Sequence, residues 1–428
     1  MTNTSKRPIG IDLFAGAGGM SLGFEQAGFD IAAAVEIDPI HCATHEYNFP
    51  YSKAICASVV DLTGDDVRQK AGIGDREIDV VFGGAPCQGF SLIGKRVLDD
   101  PRNELASHYV RLVSELQPKY CVFENVKGLT LGKHRKFLDE MIAALDKAGY
   151  DVVMPYQVLN AADYGVPQSR QRLFLMGARK GLTEPTYPAP LEQGATVWDA
   201  IGDLPDANRF EELRSTDAVH VEWETESTYA RRLRGLERDP EDFGYTRIHD
   251  LGLLSSSLRT EHTELSQSRF TETVPGKTEP VSRFRKLAPE GLCNTLRAGT
   301  DSARGAFTSP RPIHPNLPRV ITVREAARLH SYPDWFRLHS TKWHGFRQIG
   351  NSVPPLLGRA VAGSIMQALG EKPKKPRKKL ELNDAEFLYM DMGEAARYFG
   401  VPHNTIAQRT RKTTSTPKKV VRDKADVG

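Results

Sequence analysis

Five cysteines in 428 residues, none of them in a Cys-x-x-Cys spacing, exclude a disulfide framework and a structural zinc site. Cys42, Cys56, Cys87, Cys121 and Cys293 are expected as free thiols, and no metal is expected. Long apolar runs are also missing. No stretch would span a bilayer, and Met1 to Pro8 is polar without the apolar core of a signal peptide. A cytoplasmic protein with no membrane partner is the expectation. Nor is there an excess of one charge: 57 Lys and Arg face 54 Asp and Glu, and a net charge of +3 does not by itself announce a nucleic-acid binder. No internal repeat is visible. The rest is an ordinary globular composition, 39% hydrophobic and 26% charged, on a chain too long for one core, so two or three domains are expected.

The first part alternates short apolar runs with amphipathic stretches. Strands are expected at Ile9 to Leu13, Asp30 to Ile37, Asp79 to Phe82, Tyr120 to Glu124, Asp151 to Leu159 and Arg172 to Gly177. Between them, Glu104 to Leu116 and Arg135 to Ala148 read as helices, stopped by Pro118 and Gly149. That alternation predicts an α/β fold with a doubly wound sheet, whose ligands lie beyond the carboxyl ends of the strands. Asp12, Glu36, Cys87 and Glu124 all fall at or just after such ends. From about Lys180 periodicity fades into a polar section with basic stretches among aromatics, such as Tyr229 to Arg234 and Phe270 to Arg285. Two readings stay open there, a solvated loop-rich domain or a surface that reaches phosphates and base edges. Regular structure resumes near Arg319, where Thr322 and Glu325 have capping-box spacing.

The basic run Lys372 to Lys379 predicts a linker over residues 371–380. Beyond it, Gly393 to Ile406 reads as helix, glycine turn, helix, with Arg409, Arg411 and Lys412 on or after the second helix. This extension is similar to a helix-turn-helix module, or is a small hairpin that ends the chain. The expected domains are 1–180 and 317–370 for the catalytic part, 181–316 for the polar section and 381–428 for the extension.

Asp12-Leu13-Phe14-Ala15-Gly16-Ala17-Gly18-Gly19 follows a strand and precedes a helix, so its glycines let backbone amides approach a bound group. A dinucleotide fingerprint wants a further glycine where Ser21 stands, which favours a nucleoside lacking a pyrophosphate. Glu36 ends the next strand, where a carboxylate accepts ribose hydroxyls. Asp61 is a candidate for the adenine amino group.

Gly84-Ala85-Pro86-Cys87-Gln88 places a thiol in a Gly/Pro turn after an apolar strand. A free cysteine titrates near ~8.5, so the site must help it to be a nucleophile. Glu124-Asn125 ends a strand expected beside that of Cys87. Its carboxyl is useful toward a pyrimidine if burial keeps it protonated, because it then donates to a ring nitrogen. Arg170 and Arg172, two residues apart, are expected on one face, one holding the carboxyl and a ring carbonyl, the other anchoring phosphate.

These motifs in this order resemble the cytosine-C5 DNA methyltransferases of bacterial restriction-modification systems: Asp12-x-Phe14-x-Gly16-x-Gly18-Gly19, Glu36, Asp61, Gly84-x-Pro86-Cys87-Gln88, Phe123-Glu124-Asn125-Val126 and Gln168-x-Arg170-x-Arg172. Thr322-x-Arg324-Glu325-x-x-Arg328-Leu329 and Gln348-x-Gly350-Asn351-Ser352-Val353-Pro354-Pro355 follow. The resemblance spans most of Ile9 to Ala368. It implies S-adenosylmethionine as methyl donor, held by Phe14, Gly16, Gly18, Glu36, Ile37, Asp61 and Pro86, with Asn351 and Ser352 closing the pocket. It further implies a cytosine flipped out of double-stranded DNA, attack of Cys87 on C6, Glu124 on N3 and the amine, and Arg172 on the O2 side. The polar section, about Gly181 to Asn316, becomes the target-recognition domain. A cognate restriction endonuclease, a monomeric state and association with the nucleoid through DNA are expected as well. The linker and extension exceed the family pattern, and a role in DNA affinity or in repressing the protein's own promoter is the expectation for them. An RNA cytosine methyltransferase, or a catalytically dead DNA binder on the same fold, are the competing readings.

Overall fold

All five residues of the first strand, β1 (Ile9–Leu13), are buried, the signature of a strand covered on both faces. The computed structural model describes residues 7–86, 104–131, 135–223, 227–299 and 311–406. Around β1 lie β2 (Asp30–Glu36), β3 (Lys53–Cys56), β4 (Val80–Gly83) and β5 (Tyr120–Val126), all parallel, in the order β3-β2-β1-β4-β5. They are joined through α1 (Gly19–Gln26), α2 (Pro39–Asn48), α3 (Gly64–Ala71) and α4 (Glu104–Leu116), and α5 (Arg135–Lys147) follows β5. The strand order reverses at β1 and β4, which opens the crevice expected of a doubly wound sheet.

The sheet finishes with β6 (Tyr150–Val152), β7 (Gln157–Asn160) and β8 (Gln171–Arg179). β8 runs antiparallel to β5, and β6 and β7 pair with opposite ends of β8. The single strand expected from Asp151 to Leu159 is therefore two. Pro155 has no N–H to give a ladder, and the chain leaves the sheet around it.

Apolar side chains cover both faces. Leu13, Val35, Val81 and Phe123 pack on one side with Leu112, Val113 and Met141 from α4 and α5. On the other, Phe24 of α1 stacks on Phe82 with ring centroids 3.7 Å apart.

Beyond β8 come α6 (Val197–Ile201), β9 (Val219–His220), α7 (Thr228–Leu233), β10 (Thr246–Ile248), β11 (Leu253–Leu254) and α8 (Glu264–Glu272). Then α9 (Val323–Arg328), α10 (Lys342–Asn351) and α11 (Pro355–Ala368) return the chain to the sheet, where Val361 and Ile365 of α11 join Phe24 and Phe82. The capping box expected at α9 is present: Thr322 Oγ1 accepts from Glu325 N at 3.2 Å, and Glu325 Oε2 accepts from Thr322 N at 2.7 Å. Packing crosses the expected boundaries at 181 and 317, since Val197, Ala200 and Ile201 share one core with Ala326, Ala327, Phe336 and with Leu22 and Phe49. Arg247 of β10 pairs with Glu25 of α1 at 2.7 Å, both side chains at most 1% exposed.

The expected linker is not a free tether. Lys374 O accepts from Arg7 Nη1 at 2.7 Å, and β12 (Lys379–Glu381) pairs parallel with β10. α12 (Met392–Phe399) follows, capped by Asp391 and ended by Gly400 at φ 67°. Asn383 N donates to Tyr47 O at 3.1 Å, Leu388 is fully buried, and Tyr389 Oη donates to Asp217 at 2.7 Å, so these residues lie on the body of the molecule. Val401 to Ile406 is not helical, so the second helix does not begin before Ile406, and the rest of its expected span lies outside the described residues. Arg409, Arg411 and Lys412 lie outside the described residues.

Candidate active site

The turn after β1 is built from left-handed backbone. Phe14, Gly16 and Gly18 have φ of 66°, 56° and 99°. A side chain on Gly18 is ruled out by more than its φ, since a Cβ would stand 2.5 Å from the Phe49 ring. A Cβ on Gly16 would meet nothing within 4 Å, so the turn opens on free space there. Gly16 N donates to Glu36 Oε2 at 2.8 Å, while Ile37 N and Asp38 N both donate to Glu36 Oε1 at 2.9 Å. The carboxylate at the end of β2 is thus pinned at the lip of the turn with lone pairs to spare. Ile37 beside it is 39% exposed, and Asp61, after β3, is exposed too.

Beneath the turn Asp12 is buried and accepts from Ser21 Oγ at 2.5 Å; burial pushes its pKa up to about 8. Ser21, the residue that breaks the dinucleotide spacing, is therefore the partner of a neutral carboxyl at pH 7. His45, pushed down to about 3 by burial, stands 3.3 Å from the same hydroxyl. A Cβ on Gly19 would come within 2.9 Å of Ser352 Cβ, so the far end of the chain closes on the turn. Asn351 is exposed next to it.

Leu13 pairs with Gly83, so the loops that begin at Phe14 and Gly84 leave the sheet side by side. Cys87 and Gln88 lie outside the described residues. Gly84, Ala85 and the exposed Pro86 lead to them, and a Cβ on Gly84 would collide with Glu124 Oε2. Asn125 Nδ2 donates to Ala85 O at 3.1 Å, which ties the end of β5 to the stretch 84–86 that precedes Cys87 in the chain.

β8 enters where β5 exits, with Val126 opposite Arg172 and Glu124 opposite Phe174. Glu124 and Arg172 are consequently diagonal neighbours on one face. Arg172 Nε donates to Glu124 Oε1 at 2.9 Å, both side chains 12% exposed. Burial raises the Glu124 pKa above the usual carboxylate value; the Arg172 and Arg170 guanidinium groups oppose this without cancelling it.

Arg170 corrects its expectation. It precedes β8 and is 1% exposed, with Nη1 donating to Leu296 O at 2.8 Å and Nη2 to Gly350 O at 2.8 Å and Ser352 O at 2.7 Å. Buried, with both terminal nitrogens donating to carbonyls, it is not placed to anchor phosphate. Instead it staples the polar section and the end of α10 to the mouth of the site. Gln168 assists, donating to Leu329 O at 3.1 Å and accepting from Leu296 N at 3.1 Å. His330, within 3.0 Å of Gln168 Nε2 and 3.2 Å of Ser352 O, completes this staple and carried no signal in the sequence. Among the described residues no group of three or more His, Cys, Asp or Glu side chains is placed to hold a metal, and no helix is long and apolar enough to cross a membrane.

The C-5 cytosine-specific DNA methylase family matches residues 10–367. The chain is 67% identical over 405 residues to the Type II methyltransferase M.XorII of Xanthomonas oryzae pv. oryzae, covering 95% of each protein. It is 33% identical to the Type II methyltransferase M.AgeI of Thalassovita gelatinovora over 84% of this chain and 99% of that protein. Among solved structures, a protein assigned as a DNA modification methyltransferase encoded within an E. coli prophage superposes with a TM-score of 0.72 at 35% identity, over 85% of this chain and 100% of that one. Dnmt2 of S. pombe shares the fold, with a TM-score of 0.52 at 19% identity over 85% of this chain and 99% of that one. Motif order, site geometry and these matches agree: the chain belongs to the C-5 cytosine-specific DNA methylase family and is a DNA (cytosine-5-)-methyltransferase.

Proposed function

We propose that this methyltransferase serves a Type II restriction-modification system, flips a cytosine out of a specific sequence in double-stranded DNA, and uses Cys87 as nucleophile toward C6. The observation that carries the reading is the Glu124–Arg172 pair beside Gly84, three residues before Cys87 in the chain. A flipped base brought against this pair meets a carboxyl whose raised pKa suits it to hold a proton toward N3, with the exocyclic amine in reach. Arg172 keeps that carboxyl oriented and has further donors for O2. Cys87 adds to C6 as thiolate, which leaves the electron pair on C5. After methylation the C5 proton is removed and the pair expels the thiolate, restoring the aromatic ring.

S-adenosylmethionine supplies the electrophilic methyl group on its sulfonium. The residues present fit it: open space at Gly16, the pinned Glu36 carboxylate for ribose hydroxyls, exposed Ile37 and Asp61 for adenine, and Phe14, Gly18, Pro86, Asn351 and Ser352 around the remainder. The polar section serves as the reading surface. Its Cys293–Leu296 stretch runs along Gln168 to Arg170, with exposed Arg297 following, which sets positive charge beside the mouth. A monomer acting alongside a cognate endonuclease of the same site is part of this reading.

Bisulfite sequencing of plasmid DNA treated with the protein and S-adenosylmethionine tests it. Protected cytosines at one recurring short sequence, absent with Cys87→Ser, are expected. Methyl transfer to tRNA but not to plasmid would overturn the DNA reading.

A further inference from the structure

Cys42 and Cys56 have no part in this chemistry, yet both converge on one peptide at the edge of the cofactor turn. Cys42, in the first turns of α2, is 1% exposed and its Sγ donates to Glu36 O at 3.4 Å. Cys56, the last residue of β3, is half-buried, pairs in register with Glu36, and directs its Sγ to Ile37 O at 3.9 Å. The carbonyls belong to consecutive residues, so both thiols face the same peptide. Burial, the neighbouring Cys56 and the Glu36 and Asp38 carboxylates push the Cys42 thiol well up, so it stays protonated.

We propose that Cys42 and Cys56 are a peroxide-sensitive thiol pair whose disulfide closes the ribose edge of the cofactor site. Cys56, the more accessible thiol, reacts first as thiolate: its sulfur takes OH from hydrogen peroxide, and the released hydroxide gains a proton to leave as water. Cys42 then attacks the sulfenic sulfur, forming the S–S bond, and its proton leaves with the hydroxyl as a second water. Two thiols are oxidised by two electrons and one peroxide is reduced to two waters. The bond draws the start of α2 toward β3. The same corner carries the Ile37 and Asp38 amides that hold Glu36 Oε1, so the carboxylate loses its set position. The effect on binding rests on the proposed cofactor role of Glu36, whereas the disulfide does not.

Full-length protein carrying Cys87→Ser, which removes the proposed nucleophile as a competing target, is treated with hydrogen peroxide. Thiols are then blocked with iodoacetamide and unreduced peptides mapped by mass spectrometry, with S-adenosylmethionine affinity measured by titration calorimetry. A Cys42–Cys56 cross-linked peptide is expected, with affinity weakened about tenfold or more, the scale of one lost hydrogen bond to a charged group. Dithiothreitol restores the affinity, and Cys56→Ser in the same background keeps it through peroxide treatment. Full alkylation of both thiols after peroxide and denaturation overturns the pair, and a cross-link with unchanged affinity overturns its closing of the site. Failure of the untreated protein to bind S-adenosylmethionine counts against the cofactor reading, while the peptide map still decides the thiol pair.

Discussion

At Glu124 burial raises the carboxyl pKa against the opposing Arg172 and Arg170 guanidinium groups, the direction that a proton donor toward a base needs. The proposed mechanism requires the protonated form, so the rate is expected to fall as pH rises through the raised pKa. Cys87, required as thiolate in the same proposal, imposes the opposite dependence on pH. Glu124→Gln retains an N–H donor but cannot hold or release a proton; methylation slower by about 10²–10⁴-fold and loss of the descending limb are expected in pH–rate profiles. An unaltered profile would remove Glu124 from proton chemistry. At this scale the sequence was informative where a side chain ends a strand. Glu36 and Glu124 were legible because a parallel sheet delivers strand ends to one edge. Arg170 was misread because two-residue alternation applies within a strand, and Arg170 precedes β8. Its partners, Leu296, Gly350 and Ser352, lie more than a hundred residues away in the chain, beyond any local pattern.

Single elements hold together through contacts the sequence shows only in part. The start of α9 was legible from Thr322 and Glu325. Hidden was the second use of Glu325, whose Oε1 takes Arg319 Nη2 at 2.7 Å in a buried pair. Burial alone would raise the Glu325 pKa, but Arg319, His314 and the Thr322 amide bring it down to about 2 from 4.5. A depressed carboxylate pKa stabilises the fold above the unfolded value. This contribution is complete above about pH 4.5 and lost as pH falls toward 2. Glu325→Gln removes one of the two carboxylates on buried Arg319, whose Nε still donates to Asp206 Oδ1 at 2.9 Å, so a loss of about 1–3 kcal/mol at pH 7 is expected from denaturant unfolding. The mutant's stability should also fall less steeply than wild type between pH 4.5 and 2. Equal acid dependence in both proteins would mean the pair is not formed. The expected strand from Asp151 to Leu159 failed for a different reason, because the apolar run continues on both sides of Pro155 although the ladder cannot.

Across the whole molecule, the described part of the extension, up to residue 406, behaves as part of the body. Its composition suggested a tether, since lysine and proline describe a chain in isolation and say nothing of a strand waiting to pair with it. β12 on β10, Leu388 in the core and Tyr389 on Asp217 are all contacts that a truncation after Gly370 removes. Losing the buried Leu380 and Leu388 alone forfeits about 1.5–3 kcal/mol each. A lower Tm in the absence of DNA is expected from calorimetry of the truncated chain. An unchanged Tm would return the segment to the status of an appendage.

The return of α11 to α1 has one more consequence. Val353, Leu357, Val361, Ala362, Ile365 and Met366 reach the apolar face beneath the sheet only after the polar section has been made, and Arg170 reaches across to hold the start of this segment. Covalent continuity through the exposed loop at Glu192–Gly194 is therefore dispensable once both halves exist. Residues 1–193 and 194–428, expressed as two polypeptides in one cell, should co-purify as an active pair, while either alone should aggregate through the uncovered surfaces of Phe24 or Val361. In this sense the enzyme is a heterodimer whose subunits share a peptide bond.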